Sequence, residues 1–262
     1  MKQKLLINDF NLFIEFVKSA SRIVDSAKFQ LNSNGVELYG ARQRIARIEL
    51  TSNAISTPDD KEIEFSILNL NMLAKVLNTV KDIHDGDYTD FNFIVDSPFI
   101  RFESKKFKTK LLTCGENVIE SWVSKKVSTK LTPEVEFKTT IDYIKRINSH
   151  TFIFPDQSSV RVYLQSRDDM ENNSIYATIG NLETNLNNEI TLKLGLTTIG
   201  KLSQDRKIIL DIERLNLFSA IPSNDIVITL MKDINVLVSK SVLTGKNNSY
   251  MNMNIYNTLL KQ

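Results

Sequence analysis

Apolar residues recur at helical spacing in two matching places along the chain. The first run places Leu12, Phe16 and Val17 on one face and continues through residues 9–24, with Asn8 or Asp9 suited to cap its start. The second run covers residues 141–149 and, like the first, follows a short apolar segment that reads as a strand. A pattern that returns after about half of the chain predicts an internal duplication.

Before, between and after these helices the alternation of apolar and polar residues predicts strands. The clearest hairpin signal is the Asn34-Gly35 corner between residues 28–32 and 36–39. The remaining predicted strands cover residues 4–7, 45–50, 62–67, 91–95, 99–103, 106–114, 135–138, 159–165, 174–179, 189–194, 226–231, 236–242 and 250–256.

Each half also contains a later helix, predicted at residues 69–81 and 212–220. Residues 116–133 hold apolar side chains without a period of two or 3.6 and read as an extended connector. We therefore expect an α+β fold with two similar domains, residues 1–115 and 134–262, each with two helices packed on antiparallel sheet.

Composition limits the function classes. A net charge of +2 means that any affinity for nucleic acid must come from local segregation of charge. The single cysteine, Cys114, excludes an internal disulfide framework and fits a reducing compartment. Polar residues from Asn8 onward interrupt the apolar start of the chain, and no apolar stretch is long enough for a bilayer, so we expect an intracellular protein with no membrane partner.

Catalytic chemistry has little support. The stretch from Asp82 to Asp90 contains His84 and several carboxylates, but Gly86 is misplaced for a calcium loop, so we interpret the stretch as an acidic surface loop. Gly245-Lys246 lacks the other residues of a phosphate-binding loop. No nucleophile–base pair and no metal-ligand spacing stands out, so we expect no enzyme activity, no cofactor and no metal.

The polar faces of the predicted helices are basic. The residues on these faces that are candidates for contact with a polyanion are Lys18, Arg22, Lys75, Asn78, Lys81, Lys145, Arg146 and Arg214. Each could equally be an ordinary solvated helix face, and the fourth helix contributes only Arg214.

Four segments resemble the DNA sliding clamps, the family of proliferating cell nuclear antigen. They are the hairpin at Gly35–Leu38 followed by Ile45 and Leu50, the second helix with Asn69-Leu70 and Met72–Leu77, the connector end Leu131–Phe137, and the last helix and strand with Leu215–Pro222 and Val227–Met231. The resemblance covers almost the whole chain in order and spacing. It implies a processivity factor, in which three two-domain subunits form a homotrimeric ring around double-stranded DNA without reading its sequence. It also implies DNA polymerase and an ATP-dependent clamp loader as partners.

The resemblance further implies that the strand at residues 106–114 of one subunit pairs with residues 174–179 of the next. Charge complementarity would come from Asp168, Asp169 and Glu171, although lysines on an edge strand also serve to keep it unpaired. The interface candidates are Lys106, Lys108, Lys110, Leu112, Ile175, Tyr176, Ala177 and Ile179.

A partner-peptide pocket is implied beneath the connector. Its walls would include Ile45, Leu131, Val236 and Tyr250. The pattern is equally consistent with these residues being part of the hydrophobic core. Gly40 stands where the family has a larger apolar residue, and Asn235 where it commonly has proline.

Other interpretations remain open. They are a non-ring accessory subunit of a polymerase, one subunit of a hetero-oligomeric checkpoint-type clamp, and a nuclease or transferase whose site escapes sequence reading. We expect action at replicating DNA, in the nucleus of a eukaryote or in the host cytoplasm if the protein comes from a phage. A composition rich in Asn, Lys and Ile suggests an AT-rich genome, and viral replication or DNA repair would suit such a factor.

Overall fold

A computed structural model gives the fold of the chain. It describes residues 2–41, 45–58, 61–115, 132–154, 160–166, 173–181, 189–202, 208–211, 215, 217–218, 220, 223–232 and 236–258. The chain divides into two compact units. The first consists of Met1–Ser128 with Val242–Met253, and the second of Thr129–Ser241 with Asn254–Gln262.

Three helices are present in the described ranges: α1 (Phe10–Ile23), α2 (Leu70–His84) and α3 (Ile141–Thr151). Each begins at a side chain that caps a free backbone N–H group. Asp9 accepts from Leu12 N at 3.0 Å, Asn69 from Met72 N at 2.8 Å, and Thr140 from Tyr143 N at 3.4 Å. All three helices lie within two or three residues of the ranges predicted from the sequence.

The strands of the first half are β1 (Gln3–Ile7), β2 (Ala27–Asn32), β3 (Gly35–Ala41), β4 (Ile45–Thr51), β5 (Ile55–Ser56), β6 (Ile63–Ile67), β7 (Asn92–Asp96), β8 (Phe99–Glu103) and β9 (Lys108–Leu112). Those of the second half are β10 (Pro133–Thr140), β11 (Val160–Gln165), β12 (Ser174–Asn181), β13 (Ile190–Ile199), β14 (Ile208–Asp211), β15 (Asp225–Met231), β16 (Val236–Thr244) and β17 (Tyr250–Thr258).

The first unit contains two sheet segments, with strand orders β5-β1-β7-β8-β9 and β17-β4-β3-β2-β6. The β2–β3 hairpin turns at the predicted Asn34-Gly35 corner, where Gly35 has a φ of +126° and a Cβ would collide with the Leu50 carbonyl oxygen. Helices α1 and α2 pack against each other. Their core is aromatic, with Phe13, Phe16 and Phe29 each at most 1% exposed.

The second unit arranges its strands in the order β14-β11-β12-β13-β10-β15-β16, with α3 packed against β10, β12 and β13. The buried face of α3 carries Ile144 and Ile147, and the sheet contributes Phe137, Leu164 and Ile228. Both units therefore place amphipathic helices on antiparallel sheet, as the alternating pattern predicts.

Candidate nucleic-acid interface

Helix α1 presents two cations on its outer side. Lys18 and Arg22 are four residues apart and therefore share one face, opposite the buried Phe13, Phe16 and Val17. Arg22 is exposed, whereas Lys18 is half-buried and its Nζ lies 3.3 Å from Glu15 Oε1. The positive charge of Lys18 is thus partly neutralised within the helix.

Helix α2 carries Lys75, Asn78 and Lys81 along its solvent side. Lys75 and Lys81 are exposed and Asn78 is half-buried. Six residues at 3.6 per turn place the two lysines about 120° apart around the helix axis, with Asn78 between them. The exposed Asp82 adjoins this arc and reduces its net charge.

Helix α3 repeats the arrangement in the second unit. Lys145 and Arg146 are exposed, while Ile144 and Ile147 are fully buried. The Arg146 guanidinium carbon lies 6.0 Å from the centroid of the Tyr143 ring, within the range of a cation–π interaction. The side chain is therefore held on the outer face of the helix.

The predicted fourth helix is only partly described, and Arg214 lies outside the described residues. Leu215, Leu217 and Phe218 have helical backbone and are at most 3% exposed. Ala220 is 3% exposed, so it belongs to the core. A basic side chain would not fit there.

The acidic stretch from Asp82 to Asp90 begins in the last turn of α2 and contains a buried histidine that the interpretation as a surface loop misses. His84 is 3% exposed. Its Nδ1 donates to the Asp87 carbonyl at 3.1 Å, and its Nε2 lies 2.9 Å from Ser104 Oγ. The ring therefore joins the end of α2 to the turn before β9, and the described residues contain no group of three or more potential metal ligands.

Cys114 is half-buried, and burial raises the pKa of its thiol. A raised pKa leaves less thiolate at neutral pH and does not favour a nucleophile. No described helix combines the length and apolar character that a membrane span needs.

Strand β9 is the last strand of its sheet segment, as the edge prediction requires. Lys106, Lys108, Lys110 and Leu112 are all exposed, and the apolar Leu112 is 68% exposed.

The other half of the predicted interface is wrong. Strand β12 pairs with β11 on one side and with β13 on the other, so its backbone groups are already used within the chain. Its four interface candidates are buried at 6% exposure or less: Ile175, Tyr176, Ala177 and Ile179. Strand β13 pairs with β12 from Ile190 to Leu196 but with β10 only from Gly195 onward.

The structure also has an exposed apolar surface at the end of α3 that the sequence analysis does not predict. Phe152 and Ile153, at the C-terminal end of α3, are 75% and 65% exposed. The signal in the sequence is the run Phe152-Ile153-Phe154, because three adjacent apolar residues do not follow the spacing of one helix face. Exposed neighbouring apolar side chains of this size commonly mark an interaction surface.

Tyr250 does not lie beside Ile45, with which it is grouped in the predicted peptide pocket. Tyr250 N donates to Thr51 Oγ1 at 3.1 Å, at the end of β4 opposite Ile45. Six residues of strand separate Ile45 from Thr51 by about 20 Å, so Tyr250 and Ile45 do not share a pocket. Leu131 and Asn235 lie outside the described residues, as does the Ile45 side chain, and Val236 is half-buried at the start of β16.

Tyr250 instead borders a polar cleft of about 260 Å³ on the first unit. Arg47 lines this cleft and bonds to two further lining residues, Glu37 and Glu49, the latter at 2.7 Å. The other lining residues are Asn32, Asn34, Gly35, Val36, Leu50, Thr51 and Asn252.

The structure also explains the glycine at position 40. A Cβ on Gly40 would overlap the Val24 side chain, which fills the space where a larger residue would stand. Val24 is the extended residue directly after α1 and is 5% exposed.

Comparison with known proteins supplies the fold. No family model and no curated protein matches the chain. Among solved structures, the proliferating cellular nuclear antigen of Entamoeba histolytica is similar at a TM-score of 0.67 and 14% identity, covering 99% of each chain. PCNA from Thermococcus kodakaraensis gives 0.66 and 13%, covering 99% of this chain and 100% of its own. The PCNA2–PCNA3 complex from Sulfolobus tokodaii gives 0.60 and 13%, with 99% of each chain covered.

The chain has the DNA sliding clamp fold. This confirms the predicted fold class with its two similar domains. At 13–14% identity the likeness to these clamps establishes the fold, and the roles of single residues must be argued from this chain itself.

Proposed function

We propose that the protein is a ring-forming DNA sliding clamp, which encircles duplex DNA and tethers a DNA polymerase to it. The observation that supports this best is the clamp fold over the full chain together with exposed cations on all three described helices. A protein that slides must attract phosphates without reading bases, and lysine and arginine on helix surfaces do this. Enclosure then supplies the long residence time that weak contacts lack.

The ring itself would be a homotrimer closed by head-to-tail contacts. In this proposal β9 of one subunit adds to the sheet of the next along β13, before the ladder to β10 begins at Gly195. Strand addition uses backbone groups that an edge leaves available. This pairing replaces β12, whose two sides are both used.

The apolar surface of Phe152 and Ile153 supports self-association. Helix α3 packs on β12 and β13, so its exposed C-terminal end belongs to the same region of the second unit as the proposed pairing strand. A neighbouring subunit would remove these side chains from water, which favours association. A DNA polymerase and an ATP-dependent clamp loader are the partners that such a ring requires.

Retention on DNA tests the proposal. The protein is loaded with a clamp loader on nicked circular plasmid, the mixture is passed over a sizing column at about 0.3 M salt, and half of the sample is linearised first. We expect retention on the circle and loss from the linear form, because exposed phosphate contacts are largely screened at that salt. Equal loss from both forms contradicts encirclement and favours a non-ring accessory subunit.

The mass in solution distinguishes the forms of ring. A species of three times the 30.0 kDa chain supports the homotrimer. The similarity to the PCNA2–PCNA3 complex makes a mixed ring the second candidate. A monomer that assembles only with a different clamp-like subunit would establish that candidate instead.

A further inference from the structure

The outward face of the five-stranded sheet in the first unit is both basic and apolar. Side chains alternate strictly on β7 and β8, so Phe93, Val95, Ile100 and Phe102 point into the core. The opposite face carries the alternate residues of four strands: Lys4, Leu6, Asn92, Ile94, Asp96, Phe99, Arg101, Glu103, Lys108, Lys110 and Leu112.

The register aligns the charges of this face in a row across the strands. Lys4 pairs with Ile94, Ile94 with Arg101, and Arg101 with Lys110. At about 4.8 Å between strands, Lys4 and Lys110 are about 14 Å apart. An apolar pair, Phe99 and Leu112, lies directly beside the Arg101–Lys110 end of the row.

The charges on this face do not balance. It holds four cations but only two carboxylates, Asp96 and Glu103. Arg101 is bonded to Asp96 at 2.7 Å. Within the described part of the chain, Lys4, Lys108 and Lys110 have no carboxylate within ion-pair distance, and the Lys110 ammonium lies 4.8 Å from the centroid of the Phe99 ring.

We propose that this sheet face, which we call the basic sheet face, is a docking surface for an acidic, extended peptide segment of a partner protein. Charge complementarity selects carboxylates, and Ile94 in the row together with Phe99 and Leu112 beside it selects an apolar residue between the two carboxylates. Leu112 is 68% exposed, so this apolar surface is open to a ligand. A phosphate backbone would use the lysines but would gain nothing from Phe99 and Leu112, and this disfavours nucleic acid as the occupant.

The spacing fixes the form of the segment. An extended chain advances about 3.3 Å per residue, so carboxylates four residues apart span about 13 Å and match the distance from Lys4 to Lys110. The expected core of the segment therefore has five residues: an acidic residue, a spacer, an apolar residue, a second spacer and a second acidic residue. Side chains on a face stand perpendicular to the sheet, so strand pairing at the β9 edge leaves the face open. The proposal does not depend on ring formation.

A fluorescein-labelled peptide of sequence Gly-Asp-Ala-Phe-Ala-Asp-Gly tests the proposal by fluorescence anisotropy at 50 mM salt. We expect saturable binding, and affinity lowered at least about fivefold by Lys110→Glu or by Lys4→Glu, since each replaces an exposed attraction by repulsion. A peptide with Asn in place of both Asp, or Ser in place of Phe, should bind correspondingly weakly. Lys240→Glu, the same change at an exposed strand lysine of β16, should have no effect.

Lys4 and Lys110 lie on different strands, so the two variants are independent tests. If the circular dichroism spectrum shows that Lys110→Glu does not fold like the wild type, the affinity of Lys4→Glu decides the question. Absence of binding up to about 1 mM peptide overturns the proposal. Equal binding to all variants also overturns it. A 20-nucleotide DNA that binds through Lys4 and Lys110 while the peptide does not would assign the face to nucleic acid instead.

Discussion

The carboxylate of Asp9 accepts a hydrogen bond from the Ser249 hydroxyl at 2.8 Å, although 240 residues separate the two in the chain. The same Oδ2 atom accepts from the Lys246 backbone N–H at 2.7 Å, while Oδ1 caps α1 through Leu12 N. One buried side chain thus fixes both the start of the first helix and the turn between β16 and β17.

Asp9→Asn should destabilise the first unit by about 2 kcal/mol, because an amide NH₂ cannot accept the hydrogen bonds that Lys246 N and Ser249 Oγ donate. The measurement is the urea midpoint of the transition that includes α1, followed by hydrogen exchange of the helix amides. Asn69→Asp is the matched control, since it keeps an acceptor at the α2 N-cap and adds a favourable charge there. An unchanged midpoint for Asp9→Asn would show that water replaces the carboxylate.

The same contact predicts a dependence on pH. Burial alone would raise the pKa of Asp9, but the hydrogen bonds from Leu12, Lys246 and Ser249 together with the Lys246 charge outweigh it and hold the pKa below its ordinary 3.8. A folded pKa below the unfolded one adds stability above that ordinary value, and this stability is lost as the pH falls through the folded pKa. The difference in unfolding free energy between wild type and Asp9→Asn should therefore be constant from pH 7 to 5 and shrink below pH 4. A difference that persists at pH 2 contradicts this.

The basic faces of the helices can be tested without a ring. Replacing Lys75 and Lys81 together by alanine should lower the slope of log affinity against log salt for a short linear duplex by about two, since each phosphate contact contributes about 0.9. Lys240→Ala removes an exposed lysine from a strand and should leave the slope unchanged. Equal slopes for the double variant and wild type would exclude α2 from the DNA interface.

Glu15→Gln should tighten duplex binding up to about fivefold at low salt, because it releases Lys18 from its 3.3 Å ion pair with Glu15. Adding Lys18→Ala should abolish the gain. A gain that survives in the double variant would mean that the carboxylate acts by general repulsion of DNA rather than through Lys18.

Ile153→Asp should dissociate the proposed ring. Placing a charge in a buried apolar contact removes the burial of one large side chain, so the subunit dissociation constant should rise at least about tenfold. Analytical ultracentrifugation measures it. Val242→Asp, at a strand residue that is 53% exposed, is the control with the same chemistry. A ring that withstands Ile153→Asp but not Val242→Asp would move the interface elsewhere.

Local patterns predict the helices of this chain well but predict its strand edges poorly. The spacing of Phe13, Phe16 and Val17 requires only neighbours along one helix, so it predicts α1 within two residues. Whether β12 lies at an edge depends on which strands pair beside it, and Ile175 and Ala177 look the same in a sequence whether a neighbouring strand or another subunit covers them. The place of Tyr250 is hard to predict for a related reason, because it follows from the pairing of β17 beside β4 and not from its own sequence neighbours.

The overlap between a Cβ at Gly40 and the side chain of Val24 links the two positions. A larger residue at position 40 fits only after Val24 has been replaced by a smaller one. If the substitution at position 40 comes first, the core around Val24 is overpacked. Homologous chains should therefore carry a large side chain at one of the two positions and a small one at the other, and a library that randomises both together should recover folded members that neither single substitution yields.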